Sequence, residues 1–430
     1  MNSSRKKTFF IKTLGCKVNQ YESQKIRAEL LGNGFAEAPA ASGADICVIN
    51  SCTVTHRADR EVRRLARQYG ASRGSCVVIC GCMAETAEDR ALISGIDGVR
   101  LLAKNSEKSG LVKELCGMFG SPYRGGQGAI TEFKGYNRAF VKIQDGCDNR
   151  CSYCKVSIVR GRSRSRPEEE IVSEAGTLAE QGYKEIVLTG ICAGAWGPDL
   201  KPATSLSRLL KRLSGMGGFR LRLSSIEPKY VTEELIAAAA GPGAFCRHFH
   251  IPLQSGDDSV LSAMNRGYTA KQFVSLIERI RQAIPGCSFT TDVIVGFPGE
   301  GDSNFMNTCG VIRETAPARV HAFTYSPRKG TASFAMKNAP HSAAVKARLK
   351  TLEKISKDAA AAYSGQFIGK TVQVLVESSK KGRTGRPEGY ADTYVKVFID
   401  GPRGMAGNIV NVRITGVCPH GLEGIPAPGQ

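Results

Sequence analysis

Three cysteines within one short loop constrain this 430-residue chain more than any other feature, because they can converge on one metal centre. Cys147, Cys151 and Cys154 have C-x3-C-x2-C spacing, in which each thiolate can bind a different iron of a cubane cluster while the fourth iron stays open. An open iron can bind a small molecule, which indicates a catalytic cluster. A structural zinc site is the alternative, but such sites usually show two ligand pairs. No His lies between His56 and His248, so the loop favours iron–sulfur.

The charge balance predicts a polyanionic partner. The chain has 59 Lys and Arg against 39 Asp and Glu, a formal net charge of +20. Nucleic acid is the first expectation, because phosphate neutralisation and counterion release dominate such affinities. A basic surface without a partner is the alternative.

Fifteen cysteines would suggest disulfides in a small secreted domain, but this chain is neither small nor secretory in pattern. Its start is polar and basic, and the apolar run at residues 9–11 is too short for a signal peptide. No segment approaches the roughly 20 apolar residues of a membrane span. We therefore expect a cytoplasmic protein without membrane association.

Residues 1–120 are predicted to form an open parallel α/β domain. The runs Thr8–Leu14, Ile46–Ile49 and Cys76–Ile79 are nearly continuous in apolar residues, as in buried parallel strands, and helical patterns separate them.

A cysteine follows each of these strands: Cys16, Cys52 and Cys82. Ligands of open α/β sheets bind outside the carboxyl ends of the strands, so these thiols are expected to converge. The other cysteines of this segment are interpreted as buried apolar residues, and Cys80, two residues from Cys82, is the alternative ligand.

The rest of the chain is predicted to contain two further domains. A linker at 121–135 precedes a partial (β/α) barrel at 136–340, with six strand-like runs alternating with helical patterns. A connecting helix is predicted at 341–366. Alternating apolar residues then indicate a small all-β domain at 367–430, of the kind that binds nucleic acid.

The cysteine motifs resemble those of the radical S-adenosylmethionine (SAM) methylthiotransferases over nearly the full chain. The segments that carry the resemblance are TLGCKVNQYES at 13–23, VINSCTVT at 48–55, GCMAE at 81–85, the C-x3-C-x2-C loop, GRSRSR at 161–166 and HIPLQSG at 250–256. The residues after Cys16 are similar to those of the branch that acts on threonylcarbamoyladenosine in tRNA.

The resemblance implies two 4Fe-4S clusters, one at Cys147, Cys151 and Cys154 and one held by the three strand-end cysteines. It implies SAM as cofactor and tRNA as substrate, with an electron-donating reductase and a sulfur donor as partners. It also implies transfer of a methylthio group to carbon 2 of the adenine, and a C-terminal domain of the TRAM type. No catalytic residue beyond the cluster ligands is predicted.

Four further residues are predicted to contact SAM. Tyr153, in the aromatic position before the last loop cysteine, is expected to border the adenine of SAM. Gly190 would let the cofactor approach the backbone at a strand end. Arg222 and Gln254 are expected to bind polar groups of SAM.

Two basic runs are predicted to contact the tRNA backbone, because Arg pairs with phosphate in a bidentate fork. The first follows the cluster loop and the second lies in the all-β tail; their members are Arg160, Arg162, Arg164 and Arg166, and then Lys380, Lys381 and Arg383.

One segment departs from the family pattern, in which the third loop cysteine is commonly followed by Ile-Ile-Pro. Here Lys155-Val156-Ser157 follows Cys154, which leaves substrate identity open. The alternatives are methylthiolation of isopentenyladenosine in tRNA or of a ribosomal protein. An alternative of another class is a non-enzymatic RNA-binding protein with structural zinc.

Overall fold

The first part of the chain forms a five-stranded parallel sheet in the order β2-β1-β3-β4-β5. The computed structural model describes residues 6–71, 74–126, 130–377 and 385–427. The strands are β1 (Thr8–Thr13), β2 (Ala36–Glu37), β3 (Ile46–Ser51), β4 (Cys76–Gly81) and β5 (Val99–Ala103), and the helices are α1 (Lys17–Gly32), α2 (His56–Gly70), α3 (Ala87–Ser94) and α4 (Leu111–Met118). Every residue of β3 and β4 is buried, which explains their unbroken apolar runs.

The second part is a partial barrel of parallel strands. Its strands are β6 (Ala139–Asp145), β7 (Arg164–Ser165), β8 (Glu185–Gly190), β9 (Arg220–Leu223), β10 (His248–His250), β11 (Ser288–Val295) and β12 (Arg319–Thr324). Its helices are α5 (Val156–Arg160), α6 (Glu168–Glu180), α7 (Leu206–Ser214), α8 (Glu233–Ala240), α9 (Asp258–Ala263), α10 (Ala270–Ala283) and α11 (Asp302–Thr315). Sheets β7-β6-β8-β9 and β10-β11-β12 are joined by single bridges such as that between Ser225 and His250. The predicted six-stranded partial barrel is therefore confirmed; β7 is an added antiparallel strand.

The third part is a small closed barrel that follows the long helix α12 (Ser342–Gly365). Its strands are β13 (Thr371–Glu377), β14 (Glu388–Ala391), β15 (Lys396–Ile399), β16 (Ile409–Cys418) and β17 (Gly421–Pro426). Alternate valines such as Val372, Val374 and Val412 fill the interior. The barrel agrees with the expected all-β domain of the TRAM type.

Sequence patterns did not reveal five of the strands. β2 and β7 have two residues each, too few to show a period. β5 carries an exposed Arg100, and the short strands β14 and β17 contain glycines that weaken a strand pattern.

The small barrel docks against the amino-terminal ends of the partial-barrel strands through one buried acid. The Glu185 carboxylate lies 2.6 Å from Arg220 Nε, 2.8 Å from Arg222 Nε and 3.4 Å from Arg138 Nη1. Burial would raise the pKa of Glu185, but Arg222 and Arg138 outweigh it and hold the pKa well below its ordinary value. The same arginines reach the small barrel, since Arg138 also pairs with Glu377 at 2.6 Å.

The prediction that Arg222 binds SAM is therefore wrong. Its guanidinium is fully buried and donates to Glu185 and to the backbone oxygens of Asp392 and Ala391 at 3.0 and 3.2 Å. It also lies over the ring of Tyr394, at 4.7 Å from the centroid. The side chain faces the floor of the partial barrel and supports the domain interface.

Among the described residues, none of the helices is both long enough and apolar enough to cross a lipid bilayer.

We expect Glu185→Gln to destabilise the protein strongly, because it leaves three buried arginines without their shared counter-charge. Breaking a buried ion pair costs roughly 3–5 kcal/mol, so the urea midpoint should fall clearly. Because the pKa of Glu185 is depressed in the folded state, its contribution is present above the unfolded pKa of about 4.3 and is lost as the pH falls. The difference between wild type and variant should therefore shrink below about pH 4.

The control is Glu353→Gln, which removes an exposed acid paired with Lys357 on α12. A Glu185→Gln midpoint equal to that of this control would contradict the assignment.

Candidate metal centres

The first cysteine loop follows β6 at the carboxyl end of the partial barrel. Its return path is tight: a Cβ on Gly146, which has φ +73°, would lie 1.9 Å from the backbone oxygen of Arg162. The Cys147 amide donates to the Gly161 oxygen at 3.0 Å, and the Cys154 amide to the Cys151 oxygen at 3.1 Å. These bonds curl the loop so that its three thiols share one end of the barrel.

Polar groups outside the loop contact its thiols. Arg266 Nη1 donates to Cys151 Sγ at 3.0 Å and also pairs with Glu227. A hydrogen bond from the Cys192 thiol lowers the pKa of Cys147 to about 7. Burial raises the pKa of Cys154 to about 12, so a cation must compensate a thiolate at that position.

The second set of cysteines lies at the carboxyl edge of the first sheet. Cys52 and Cys82 come directly after β3 and β4, and Cys16 comes three residues after the end of β1. The Cys16 loop presses on Cys52: a Cβ on Gly15, with φ +94°, would lie 2.7 Å from Cys52 Cβ. Burial raises the pKa of Cys52 to about 12, and the neighbouring thiols Cys82 and Cys16 also raise it.

Cys80 has a different environment from Cys82. It is fully buried in the apolar core beneath the sheet, where burial raises its thiol pKa to about 11. It therefore behaves as a core residue, and Cys82 has the strand-end position.

Both cysteine sets fit multi-iron clusters by their donor chemistry. In the described ranges, no three His, Cys, Asp or Glu side chains are arranged around a single ion. A cubane cluster has a different requirement, because each thiolate binds its own iron. The first set offers three soft sulfur donors from one loop and the second offers three from separate strand ends, with hydrogen-bond donors such as Arg266 and Asn105 beside the sulfurs.

A buried ionic network joins the two cysteine sets, and its centre is Glu22 in α1. Its carboxylate lies 2.5 Å from Lys108 Nζ, 2.7 Å from Lys142 Nζ and 2.7 Å from Arg160 Nη1. Lys108 belongs to the first domain, Lys142 to β6 and Arg160 to the helix after the cluster loop. Burial would raise the pKa of Glu22, but these three cations outweigh it and hold the pKa well below its usual range.

Asn19, one helical turn before Glu22, contacts both the loops of the second cysteine set and the helix after the first. Its amide donates to the backbone oxygens of Leu14 and Ser51 at 2.7 and 2.9 Å, which precede Cys16 and Cys52. Its side-chain oxygen accepts from Arg160 at 2.5 Å. One side chain thus ties the loops of the second cysteine set to the helix that follows the first.

The prediction that Arg160 contacts tRNA is wrong, because its side chain is buried and bound to Glu22, Asn19 and Asp145. Arg166 also turns inward: it pairs with Glu174 at 2.7 Å and bonds the Lys142 oxygen, so the prediction that it grips phosphate is wrong as well.

Arg162 and Arg164 are exposed beside the cluster loop. Lys380, Lys381 and Arg383 lie outside the described residues.

The departure after Cys154 has a structural role. Lys155 is buried, and its Nζ lies 2.6 Å from Asp89 of α3, across the boundary between the first domain and the partial barrel. A second tie runs from Arg328 to Asp59 at 2.6 Å and to Thr53 at 2.8 Å, just after Cys52. Lys155 therefore contributes to the domain interface.

The other predicted cofactor contacts lie at the same end of the barrel or near it. Tyr153 packs against Val260, Met264 and Phe297, and burial raises the pKa of its hydroxyl. Gly190 ends β8, where a Cβ would lie 3.0 Å from Gln144 Oε1. Gln254 has φ +64° and exchanges backbone bonds with β11. Their contact with SAM stays a prediction.

Four residues of the site were not predicted from the sequence: Asn19, Glu22, Cys192 and Arg266. Asn19 and Glu22 were recoverable, because they stand three residues apart on the helix after Cys16 and so share a face. Cys192 and Arg266 reach the cluster loop from distant segments, and neither has a local pattern that indicates it.

Comparison with known proteins matches two family models. Residues 141–312 match the radical SAM superfamily, and residues 8–102 match the uncharacterized protein family UPF0004. The chain is 36% identical to the threonylcarbamoyladenosine tRNA methylthiotransferase MtaB of Chlamydia pneumoniae, over 97% of this chain and 98% of that protein. It is 35% identical to MtaB of Thermotoga maritima, over 97% and 96%.

Two further similarities are more distant. The tRNA-2-methylthio-N(6)-dimethylallyladenosine synthase of Maricaulis maris is 33% identical over 98% of both chains. The solved structure of the radical SAM methyltransferase TsrM from Kitasatospora setae, with cobalamin and a [4Fe-4S] cluster bound, superposes with a TM-score of 0.54 over 77% of both chains. Its sequence identity is 14%, so this similarity concerns the fold alone.

We expect Glu22→Gln to loosen the junction between the first domain and the partial barrel. The change removes the ion pair of Lys108 and leaves Lys142 and Arg160 with Asp145, at a cost of roughly 3–5 kcal/mol. Limited proteolysis should then cut between residues 118 and 139 faster than in wild type, and the urea midpoint should fall.

The matched control is Glu61→Gln, which removes a partly exposed acid paired with Arg64 within α2. Equal proteolysis rates for the two variants would refute a joining role for Glu22.

Proposed function

The chain belongs to the radical SAM family of tRNA methylthiotransferases, and from this premise we propose that it methylthiolates carbon 2 of threonylcarbamoyladenosine beside the anticodon. Relatives named for this substrate are 35–36% identical over nearly the whole chain. The residues after Cys16 are similar to those of that branch. The protein is therefore a transferase that uses 4Fe-4S clusters and SAM.

One observation carries this proposal: two sets of three cysteines lie at the carboxyl ends of two neighbouring sheets, and Asn19, Glu22 and Arg160 join them. A methylthiotransferase needs two such centres close to one base.

We assign the cluster ligands by position. Cys147, Cys151 and Cys154 would hold the SAM-binding cluster, and Cys16, Cys52 and Cys82 would hold the other. When bound, the clusters and SAM supply the radical chemistry needed to form a carbon–sulfur bond at an unactivated aromatic carbon.

The chain's own residues orient and shield these groups. Arg266 donates to Cys151 and would offset the negative charge of a ligated thiolate. Tyr153 would close one side of the SAM adenine, and Gly190 would leave room for the cofactor at the end of β8. The buried network around Glu22 fixes the distance between the two centres. A reaction that depends on the relative placement of its reacting groups requires such a fixed distance.

Exposed arginines would hold the tRNA backbone beside the chemistry. Arg162 and Arg164 remain free of a carboxylate partner within the part of the chain that the structure describes, and they flank the cluster loop. The net charge of +20 and the small β barrel support the same role.

We place the enzyme in the cytoplasm, where tRNA and reduced thiols occur together, and all fifteen cysteines are free. An electron-donating reductase and a sulfur donor complete the reaction.

Dimethylallyladenosine in tRNA is the second candidate substrate, because relatives named for it are 31–33% identical over nearly the full chain. Nucleoside mass spectrometry decides between the two. Anticodon stem-loops carrying either modification are incubated with reconstituted enzyme, SAM, sulfide and a reductant, and we expect the methylthio product from the threonylcarbamoyl substrate. Product from the dimethylallyl substrate alone would reverse the assignment.

We expect about eight irons per chain after anaerobic reconstitution, four for each cluster. Replacing Cys147, Cys151 and Cys154 by Ala should halve the iron and abolish SAM cleavage. Replacing Cys16, Cys52 and Cys82 by Ala should also halve the iron and stop methylthiolation, but SAM cleavage should remain measurable.

The control is Cys80→Ala, beside Cys82 in sequence but within the core, which should keep all the iron. Four irons in the wild type, or undiminished iron in either triple variant, would contradict the two-cluster assignment.

We expect the double variant Arg162→Gln/Arg164→Gln to weaken tRNA binding and its salt dependence. Each lost phosphate contact should reduce the slope of log K against log salt by roughly 0.7–0.9. Filter binding or fluorescence anisotropy over a range of salt concentrations measures the slope.

The double variant Arg208→Gln/Arg313→Gln removes the same charge from exposed positions on the outer helices α7 and α11. Equal slopes for the two double variants would show that the loop arginines do not contact the backbone.

A further inference from the structure

The interior wall of the partial barrel is polar where β10, β11 and β12 meet. The strand register places His250, Thr290 and Arg319 side by side, with Asp292 beside His321 and Ile294 beside Phe323 in the next rows. These residues alternate with Phe289 and Val293, which pack against the outer helices. The interiors of such barrels are usually filled by branched apolar side chains. Here most of the inward-facing side chains on these three strands are polar, and we name the barrel interior beside them the barrel chamber.

The chamber is accessible at its β12 side. Arg319 is exposed, His321 is partly exposed, and 49% of Phe323 is exposed although it faces inward. Phe323 lies next to the carboxyl end of β12, the end where the cysteine sets lie. Its ring therefore offers a stacking surface near the chemistry, and Arg319 lies deeper along the same strand.

Positive charge is in excess within the chamber. The acid there, Asp292, lies 3.2 Å from His250 Nε2, and Glu185 below is bound by arginines. Arg319 and Lys17 have no carboxylate partner in the described part of the chain. Lys17 follows Cys16 at the start of α1, and its charge acts on His321 from the first domain.

His321 is a neutral hydrogen-bonding group in this setting. Burial, together with the charges of Arg319 and Lys17, lowers the pKa of His321 to about 4. At neutral pH the fixed charge therefore comes from Arg319 and Lys17.

We propose that the barrel chamber binds the carboxylate of the threonylcarbamoyl group, with Arg319 and Lys17 supplying the charge, His321 a hydrogen bond and Phe323 a stacking surface for the adenine. The inference rests on the proposed function and adds the residues that set its specificity. A substituent on the exocyclic nitrogen of the stacked base extends from Phe323 toward His321, which lies two residues, or roughly 7 Å, along the strand.

The same chamber disfavours an apolar substituent. A dimethylallyl group would cover Arg319 and Lys17 without neutralising them, and unpaired polar groups in a binding site penalise the wrong ligand strongly. Arg319 and Lys17 are therefore specificity residues, and they are not needed to bind the clusters.

The test measures binding of two anticodon stem-loop RNAs to the reconstituted protein by fluorescence anisotropy without SAM. One RNA carries threonylcarbamoyladenosine, and the other carries the same group with its carboxylate converted to the primary amide. We expect wild type to prefer the carboxylate by about tenfold or more, as for a charge-assisted hydrogen bond. Arg319→Gln should reduce the preference to below about threefold, and Arg319→Lys should retain part of it.

The control, Arg313→Gln, removes an exposed arginine from α11 on the outside of the same barrel and should keep the full preference. Iron content is measured for each variant to show that the clusters are intact. Equal affinity of wild type for the two RNAs, or an unchanged preference in Arg319→Gln, would overturn the proposal. A parallel nucleoside assay separates this outcome from failure of the proposed function, which would appear as carboxylate preference without methylthio product.

Discussion

The carboxylate of Glu22 holds together the two halves of the site. It lies buried between a lysine of the first domain, a lysine of β6 and the arginine that ends the helix after the cluster loop. Removing this carboxylate would deprive Lys108 of its ion pair and leave Lys142 and Arg160 with Asp145, in a poorly solvated place. Because Asn19 binds both Arg160 and the backbone beside the second cysteine set, the distance between the two sets depends on this network. We infer that the network serves geometry more than stability.

The opposite end of the partial barrel is also held by one buried carboxylate that binds three cations. Glu185 binds three arginines that also reach the small barrel, and so closes the floor beneath the strands. The carboxyl ends of the strands remain available for the cysteine loops, as is general for such folds. The barrel chamber lies between these two ionic layers. Arg319 in this chamber has no carboxylate partner among the described residues, because the neighbouring acids Glu185 and Asp292 pair with other side chains.

The run of arginines after the cluster loop shows how far a charge pattern can be interpreted. Arg160 and Arg166 are internal structural residues, and Arg162 and Arg164 between them are exposed. Arg160 ends a helix that packs on the first domain, and Arg166 follows β7 and reaches Glu174 on α6. The spacing within the run does not show which arginines are buried and which are exposed, because the acids that pair with Arg160 and Arg166 come from other segments.

The sequence by itself determined the order of the three domains, the cluster loop and the strand-end positions of Cys16, Cys52 and Cys82. These features are local: apolar runs report burial, and a cysteine directly after such a run must lie at a sheet edge. Only the tertiary structure decided which charged residues belong to the site. Glu22, Arg266 and Arg319 act through partners far away in the chain, and Arg222 turns to the barrel floor because Glu185 lies there. Pairing between charged residues that are far apart in the chain leaves no periodic pattern in the sequence. Only the packing of the folded chain therefore shows which charged residues pair.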